Sequence, residues 1–202
     1  MTMKIYRIKA DFDLQSFFPF DPKLESSGDD LVRADIALGR GVRKLSTWRP
    51  LPLFVEKPER QKGNFAHLWG FEDFAIDSRA CEILRPILEQ TCELLPFLPY
   101  EGHQYYRVNI LNTVDCLNQE KTKWRMRPNG KRSNGIEEFQ FDLTRVGHHS
   151  LFKLPKRTGL LTTSGLETGG PEFKSLIEGA GLTGLKFEEV WSEGGPPIRV
   201  KS

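Results

Sequence analysis

The residues of this 202-residue chain whose types could support covalent catalysis are a cysteine, two histidines and an aspartate. Cys116 follows the apolar run of a predicted strand, and His103, His148 and Asp142 supply a possible base and orienting group. A thiolate that is activated by a histidine is the nucleophile of cysteine hydrolases. A thiol just after an apolar strand is more often buried and structural. We therefore predict that the protein has no catalytic residue and is not an enzyme. A hydrolase that uses Cys116 and the histidines is kept as an alternative.

The histidines and cysteines lack the spacing of a metal site. Structural zinc sites use pairs of Cys or His two to four residues apart, twice over, whereas the cysteines stand at positions 81, 92 and 116. His148 and His149 form the one close pair, and two ligands from it would need an unusual turn, because adjacent residues of a strand point to opposite faces. We interpret the pair as a solvated loop between strands. The sequence therefore predicts no metal site.

A glycine pattern near the C-terminus resembles a nucleotide-binding loop only in its spacing. Residues 179–184 read Gly-Ala-Gly-Leu-Thr-Gly, which matches Gly-x-Gly-x-x-Gly. The dinucleotide fingerprint follows a strand and opens a helix, whereas this segment ends a predicted helix and precedes a predicted strand. We interpret these glycines as a helix end and a turn, and we expect no cofactor.

A basic segment is the strongest candidate for binding. Residues 121–132 carry six cations, one tryptophan and no acid, within a polar stretch (118–135) that we predict to be an exposed loop. Tryptophan and arginine are frequent hot-spot residues of protein interfaces. Basic residues interleaved with an aromatic ring also bind single-stranded nucleic acid, and a merely solvated loop has the same composition. The candidate contacts of a protein partner are Trp124, Arg125, Arg127, Lys131 and Arg132.

The elements that must position these residues are mostly strands. Alternation of apolar and polar residues predicts strands over Lys4–Ala10, 106–110, 138–143 and 185–191. In the last of these strands, Leu185, Phe187 and Trp191 are expected to share one face and to pack against the strand at 106–110.

Two helices complete the prediction. Apolar residues at helical spacing begin after Asp77 or Ser78 and continue to Leu95, and Pro86 should kink this helix or divide it in two. A shorter helix starts after Pro171 and ends at a glycine. Because strands come in runs rather than alternating with helices, the predicted class is α+β: a mostly antiparallel sheet with a kinked central helix and a short C-terminal helix.

Four sequence blocks together resemble bacterial polymorphic-toxin immunity proteins, specifically the eleventh numbered immunity family, formerly a domain of unknown function. In chain order the blocks are residues 106–117, 139–141, 151–155 and 181–191. The resemblance extends from about residue 48 to 191, and Asn118 departs from it because an acidic residue is more usual there. It implies a single domain over 1–202, with 1–47 as a possible N-terminal extension of the same fold.

The resemblance also implies a function. It implies a protein without catalytic activity that binds and neutralises a cognate toxin, and it identifies no binding residue. The net charge of +2 does not favour a polyanionic partner. The first residues lack the apolar run of a secretory signal, no stretch is long enough to cross a bilayer, and three cysteines at unpatterned spacing favour a reducing compartment. The expected location is the cytoplasm.

Overall fold

A four-stranded antiparallel sheet has the first strand of the chain in its interior. The computed structural model describes residues 2–19, 42–69, 74–155, 159–167 and 169–200. Strands β1, β10, β11 and β12 form this sheet in the order β10-β11-β1-β12. Their bounds are β1 Lys4–Ala10, β10 Leu151–Lys153, β11 Leu160–Ser164 and β12 Leu185–Ser192.

A second sheet has six strands in the order β3-β2-β4-β5-β7-β6. Its neighbouring strands are antiparallel except for β2 and β4, which are parallel. The bounds are β2 Ser16–Phe18, β3 Phe54–Glu56, β4 Phe65–Leu68, β5 Phe74–Asp77, β6 Cys92–Pro96 and β7 Tyr105–Ile110. A separate hairpin consists of β8 Lys123–Met126 and β9 Arg132–Glu138.

The main helix begins at a capped N-terminus and ends earlier than predicted. In α1, Ser78–Thr91, the Asp77 carboxylate accepts a hydrogen bond from the Ala80 N–H, and the helix continues through Pro86 without interruption. The prediction that it reaches Leu95 is wrong, because residues after Thr91 form β6. The Thr91 carbonyl accepts hydrogen bonds from Leu111 and Asn112, which ties the helix end to the exit of β7.

Two short helices complete the described chain. They are α2, Leu143–Val146, and α3, Phe173–Gly179. The predicted α+β class with mostly antiparallel pairing and a short C-terminal helix is confirmed. Over the residues that the structure describes, no helix has both the length and the apolar character needed to cross a membrane.

Three apolar cores are separated by the two sheets. Core 1 joins one face of each sheet with α1 and α3, and it includes Ile8, Phe65, Leu84 and Phe173. Core 2 covers the other face of the four-stranded sheet and core 3 the other face of the six-stranded sheet. Alternation along each strand produces this division: Leu160 faces core 1, whereas its neighbour Leu161 faces core 2.

A β-bulge in β12 overturns the expectation for Trp191. The pairing of β1 with β12 shifts between Ile5, opposite Trp191, and Tyr6, opposite Glu189. The extra residue turns Trp191 to the face opposite Phe187, so that Phe187 packs on core 1 and Trp191 on core 2. The predicted contact of Trp191 with the strand at 106–110 is therefore wrong, since that strand, β7, contributes to core 1.

The turn before β12 requires a glycine. Gly184 has φ of +112°, and its carbonyl accepts a hydrogen bond from the Asp11 N–H at 2.9 Å. A Cβ at this position would overlap the carbonyl oxygen of Phe65 in β4. The turn thus fixes where the end of the four-stranded sheet meets the six-stranded sheet.

We predict that Gly184→Ala lowers the free energy of unfolding by at least about 2 kcal/mol, because the substitution combines backbone strain with a steric overlap. The measurement is urea denaturation followed by circular dichroism. Gly179→Ala is the matched control: nothing lies within 4 Å of its added Cβ, and it belongs to α3. The control should change stability by no more than about 1 kcal/mol, in the stabilising direction. Equal effects of the two substitutions would contradict the prediction.

Candidate functional site

The basic segment forms an ordered hairpin, so that the prediction of a loop over 118–135 is wrong for residues 123–126 and 132–135, although most of the segment is exposed as predicted. The Gly130 N–H donates to the Arg127 carbonyl at 2.9 Å, and the Arg127 N–H donates to the Lys131 carbonyl at 2.8 Å. Gly130 has φ of +74°, which completes a type I turn followed by a left-handed residue. Pro128-Asn129-Gly130 was the sequence signal for this turn, since Pro, Asn and Gly each favour one of its positions.

Trp124 attaches the hairpin to the body of the protein, and Arg132 covers its ring. Trp124 lies opposite Ile136 in the hairpin and packs against core 2, half-buried. The guanidinium carbon of Arg132 lies 3.3 Å from the centre of the Trp124 ring, a cation–π contact. Arg132 also donates a hydrogen bond to the Gln119 side chain at 3.4 Å. Trp124 therefore anchors the hairpin on core 2, and Arg132, which lies opposite Met126 next to the turn, packs on the Trp124 ring.

Arg125 joins the hairpin to the C-terminal segment. Its guanidinium donates a hydrogen bond to the Val200 carbonyl at 2.7 Å, and the Val200 N–H donates to the Glu137 carbonyl at 2.8 Å. Arg199 forms an ion pair with Glu137. Residues 199 and 200 thus lie along β9, and the Arg125 charge is used within the fold. Three of the five predicted contact residues have structural contacts of this kind.

The other two predicted contact residues are exposed at the end of the hairpin. Within the described residues, the side chains of Arg127 and Lys131 make no hydrogen bond or ion pair, and both are exposed. Met126, which sequence reasoning missed, is 62% exposed beside them. We call residues 126–131 the hairpin tip. It presents an apolar side chain next to two cations on an ordered turn, a combination suited to contact with a protein surface.

The structure does not assemble the four candidate catalytic residues. Cys116 is fully buried in core 2, and this burial raises the pKa of its thiol to about 12, so that the thiol is protonated at neutral pH. Asp142 caps α2, and hydrogen bonds from Thr144 hold the pKa of its carboxyl below the usual value. His103 lies in the turn between β6 and β7, in the other sheet, where its backbone pairs with Tyr100.

His148 and His149 lie in the loop between α2 and β10, as the interpretation of a loop pair between strands predicts, and their rings lie side by side. They follow the end of α2 rather than lying in a strand, and their ring centres are 4.8 Å apart. Asn112 donates a hydrogen bond to Nδ1 of His149 at 3.2 Å, and His149 lines a cavity of about 240 Å³ with His148. In the described part of the chain, no group of three or more His, Cys, Asp or Glu side chains could hold a metal ion.

His149 makes stability depend on pH. Burial, with a smaller contribution from His148, holds the pKa of His149 below its ordinary value of 6.5. The unfolded chain therefore takes up a proton more readily than the folded chain. The contribution of neutral His149 to the free energy of unfolding is complete above about pH 6.5, and it is lost as the pH falls through the lower pKa that His149 has in the folded protein.

We predict that His149→Asn weakens the loss of stability between about pH 7.5 and pH 5.5, because Asn removes the titrating ring and can still accept the hydrogen bond from Asn112. Urea denaturation at the two pH values measures this difference. Gly179→Ala, which leaves every titratable group in place, is the control and should retain the wild-type pH dependence. His67 should leave part of the dependence in both variants, since burial lowers its pKa as well. An unchanged pH dependence in His149→Asn would contradict the prediction.

Comparison with known proteins identifies no relative from which the function of the site could be inferred. No protein-family model matches the sequence, and no curated protein matches it. The resemblance of four sequence blocks to immunity proteins therefore stays a prediction. The hairpin tip is the surface on which a functional proposal can be built, because the side chains of its exposed cations make no hydrogen bond or ion pair within the described residues.

Cations that have contacts within the fold and cations at the hairpin tip should differ in how strongly their substitution affects stability. Arg125→Ala and Arg132→Ala should each lower the free energy of unfolding by about 1 kcal/mol, since they lose a charged hydrogen bond or a cation–π contact. Arg127→Ala and Lys131→Ala should stay within about 0.5 kcal/mol of the wild type. Thermal melting and urea denaturation of the four variants provide the comparison. A destabilised tip variant, or a neutral Arg125 or Arg132 variant, would show that the assignment is wrong.

Proposed function

We propose that this chain is an immunity protein that acts in the cytoplasm by binding a cognate bacterial toxin and blocking it. The resemblance of the four sequence blocks supports the class of function. The hairpin tip supports the location of the contact, because Arg127, Lys131 and Met126 are exposed there. The protein inhibits by occupying or covering the toxin and carries out no reaction of its own.

The hairpin tip suits a partner with an acidic surface. Arg127 and Lys131 flank a rigid turn, and their charges are not neutralised by acidic side chains of the described chain. Complementary charges accelerate association and orient the partner. The turn is ordered by its own backbone hydrogen bonds, so that little backbone entropy is lost when the partner binds.

Nucleic-acid binding through the same segment has less support. Proteins that bind single strands stack bases on the faces of aromatic rings. The one tryptophan of the segment packs on core 2, and the Arg132 guanidinium covers its ring. The hairpin tip therefore offers cations without an aromatic platform. The hydrolase alternative also has less support, because the Cys116 thiol is enclosed in core 2 and protonated.

The test uses a toxin domain encoded by the open reading frame beside this gene. Co-expression should rescue growth, and the purified chain should bind that toxin. Arg127→Glu together with Lys131→Glu should weaken binding at least about tenfold without a change in melting temperature, because charge reversal at an exposed contact acts on association alone. The control is Arg49→Glu with Arg85→Glu, which reverses two exposed cations elsewhere on the described surface and should leave binding unchanged.

Each other outcome has a distinct meaning. No complex and no rescue would refute the immunity proposal. A complex that the reversed tip leaves intact would place the contact on another surface. Salt-sensitive binding to oligonucleotides in the absence of toxin would favour the nucleic-acid alternative.

A further inference from the structure

Among the described residues, no strand lies beside the outer edge of β12 in the four-stranded sheet. β12, with eight residues, is the longest strand of the described chain, and it pairs with β1 on one side only. No other described segment forms backbone hydrogen bonds with residues 186–191. The N–H and C=O groups on such an edge form a template to which another strand can add.

The bulge determines which register a second strand can use. Residues 185–189 pair one-to-one with residues 6–10 of β1, and the regular pairing is interrupted between Glu189 and Trp191. The regular part of β12 is therefore five residues long, and Phe187 is its midpoint. Two copies of this segment, related by a two-fold axis, pair over its full length only when Phe187 lies opposite Phe187.

That register brings opposite charges together. Lys186 of one copy lies directly opposite Glu188 of the other, and the two-fold axis repeats the pair. Opposite side chains of antiparallel strands have Cβ atoms about 5 Å apart, and opposite charges there stabilise the pairing. Both side chains are accessible, with 55% of Lys186 and 28% of Glu188 exposed.

The neighbouring charges extend the complementarity. Lys186 contacts Asp11 and Asp13 at 2.7 and 2.9 Å, whereas Glu188 accepts a hydrogen bond from Arg7 at 2.8 Å and pairs with Lys9 at 3.0 Å. Each copy therefore presents Lys186, which is paired with two aspartates, next to Glu188, which is paired with an arginine and a lysine. A second copy of the chain supplies this alternation in reverse order along an antiparallel strand.

We propose that β12 pairs antiparallel with β12 of a second copy, so that two four-stranded sheets become one continuous sheet of eight strands in a symmetric dimer. The occupant of the edge is a second copy because its regular segment has the matching length and the matching order of charges. The hairpin tip is not part of this edge. The dimer proposal can therefore be tested independently of toxin binding.

The test measures the mass of the full chain in solution. By light scattering at about 100 µM, the wild type should have twice the mass of the 23.2 kDa chain. Lys186→Glu places two acids opposite each other and should weaken dimerisation about tenfold or more, as should Glu188→Lys. The double variant Lys186→Glu/Glu188→Lys restores opposite charges across the axis and should be dimeric again. Arg85→Glu on α1 is the control and should remain dimeric.

Three results would overturn the proposal: a monomeric wild type, a dimer that both single reversals leave intact, or a folded double variant that stays monomeric. Circular dichroism establishes that each variant is folded.

Hydrogen exchange tests the dimer on the wild type, without any substitution. Amides of residues 186–189 should exchange more slowly at about 100 µM than at about 1 µM, since pairing protects them. Equal exchange at both concentrations would also overturn the dimer.

Discussion

The burial of both faces of the four-stranded sheet is the constraint on which the rest of the structure depends. Ile5 and Ile8 lie three residues apart on β1, so that they point to opposite faces, and each belongs to a different core. A sheet covered on one side only would leave one of these residues in water. Core 1 is closed by the six-stranded sheet and two helices, and core 2 by the hairpin and the segments around Cys116 and Phe141.

The hairpin is consequently both a structural and a candidate functional element. Its base covers core 2 through Trp124 and Ile136, and Arg125 connects it to the C-terminal segment. Its tip extends beyond these contacts, with Met126 exposed. A rigid base and an exposed end are the arrangement by which scaffolds present binding residues.

The sequence predicted those elements in which one pattern governs a whole segment. Lys4–Ala10, β7 and α3 alternate or repeat regularly, and the structure has them where the pattern placed them. The hairpin was missed because charged and polar side chains occupy most positions of both strands, which hides the apolar face formed by Trp124 and Ile136. The turn signal at 128–130 could have revealed it.

Other features depend on contacts that no local pattern records. Residues 92–96 continue the apolar spacing of α1, yet they form β6, because pairing with β7 competes successfully with extension of the helix. The predicted strand at 138–143 is wrong, since β9 ends at Glu138, Phe141 forms only an isolated bridge with Leu117, and the Asp142 side chain caps α2. The direction of Trp191 depends on a bulge that arises only when β12 pairs with β1.

The six cations of residues 121–132 show why charge composition alone misjudges a binding surface. Arg125 attaches the hairpin to the C-terminal segment, Arg132 covers the Trp124 ring, and Lys123 pairs with Glu138 at 2.7 Å. Arg125 and Arg132 would have to give up or share these contacts before a toxin could use their charges. Arg127 and Lys131 have no such contact among the described residues, so their interaction with a partner would not compete with the fold. The capacity for binding therefore follows the cations without such contacts in the described chain, which are Arg127 and Lys131 at the tip and Lys121 before β8, rather than the number of basic residues in the segment.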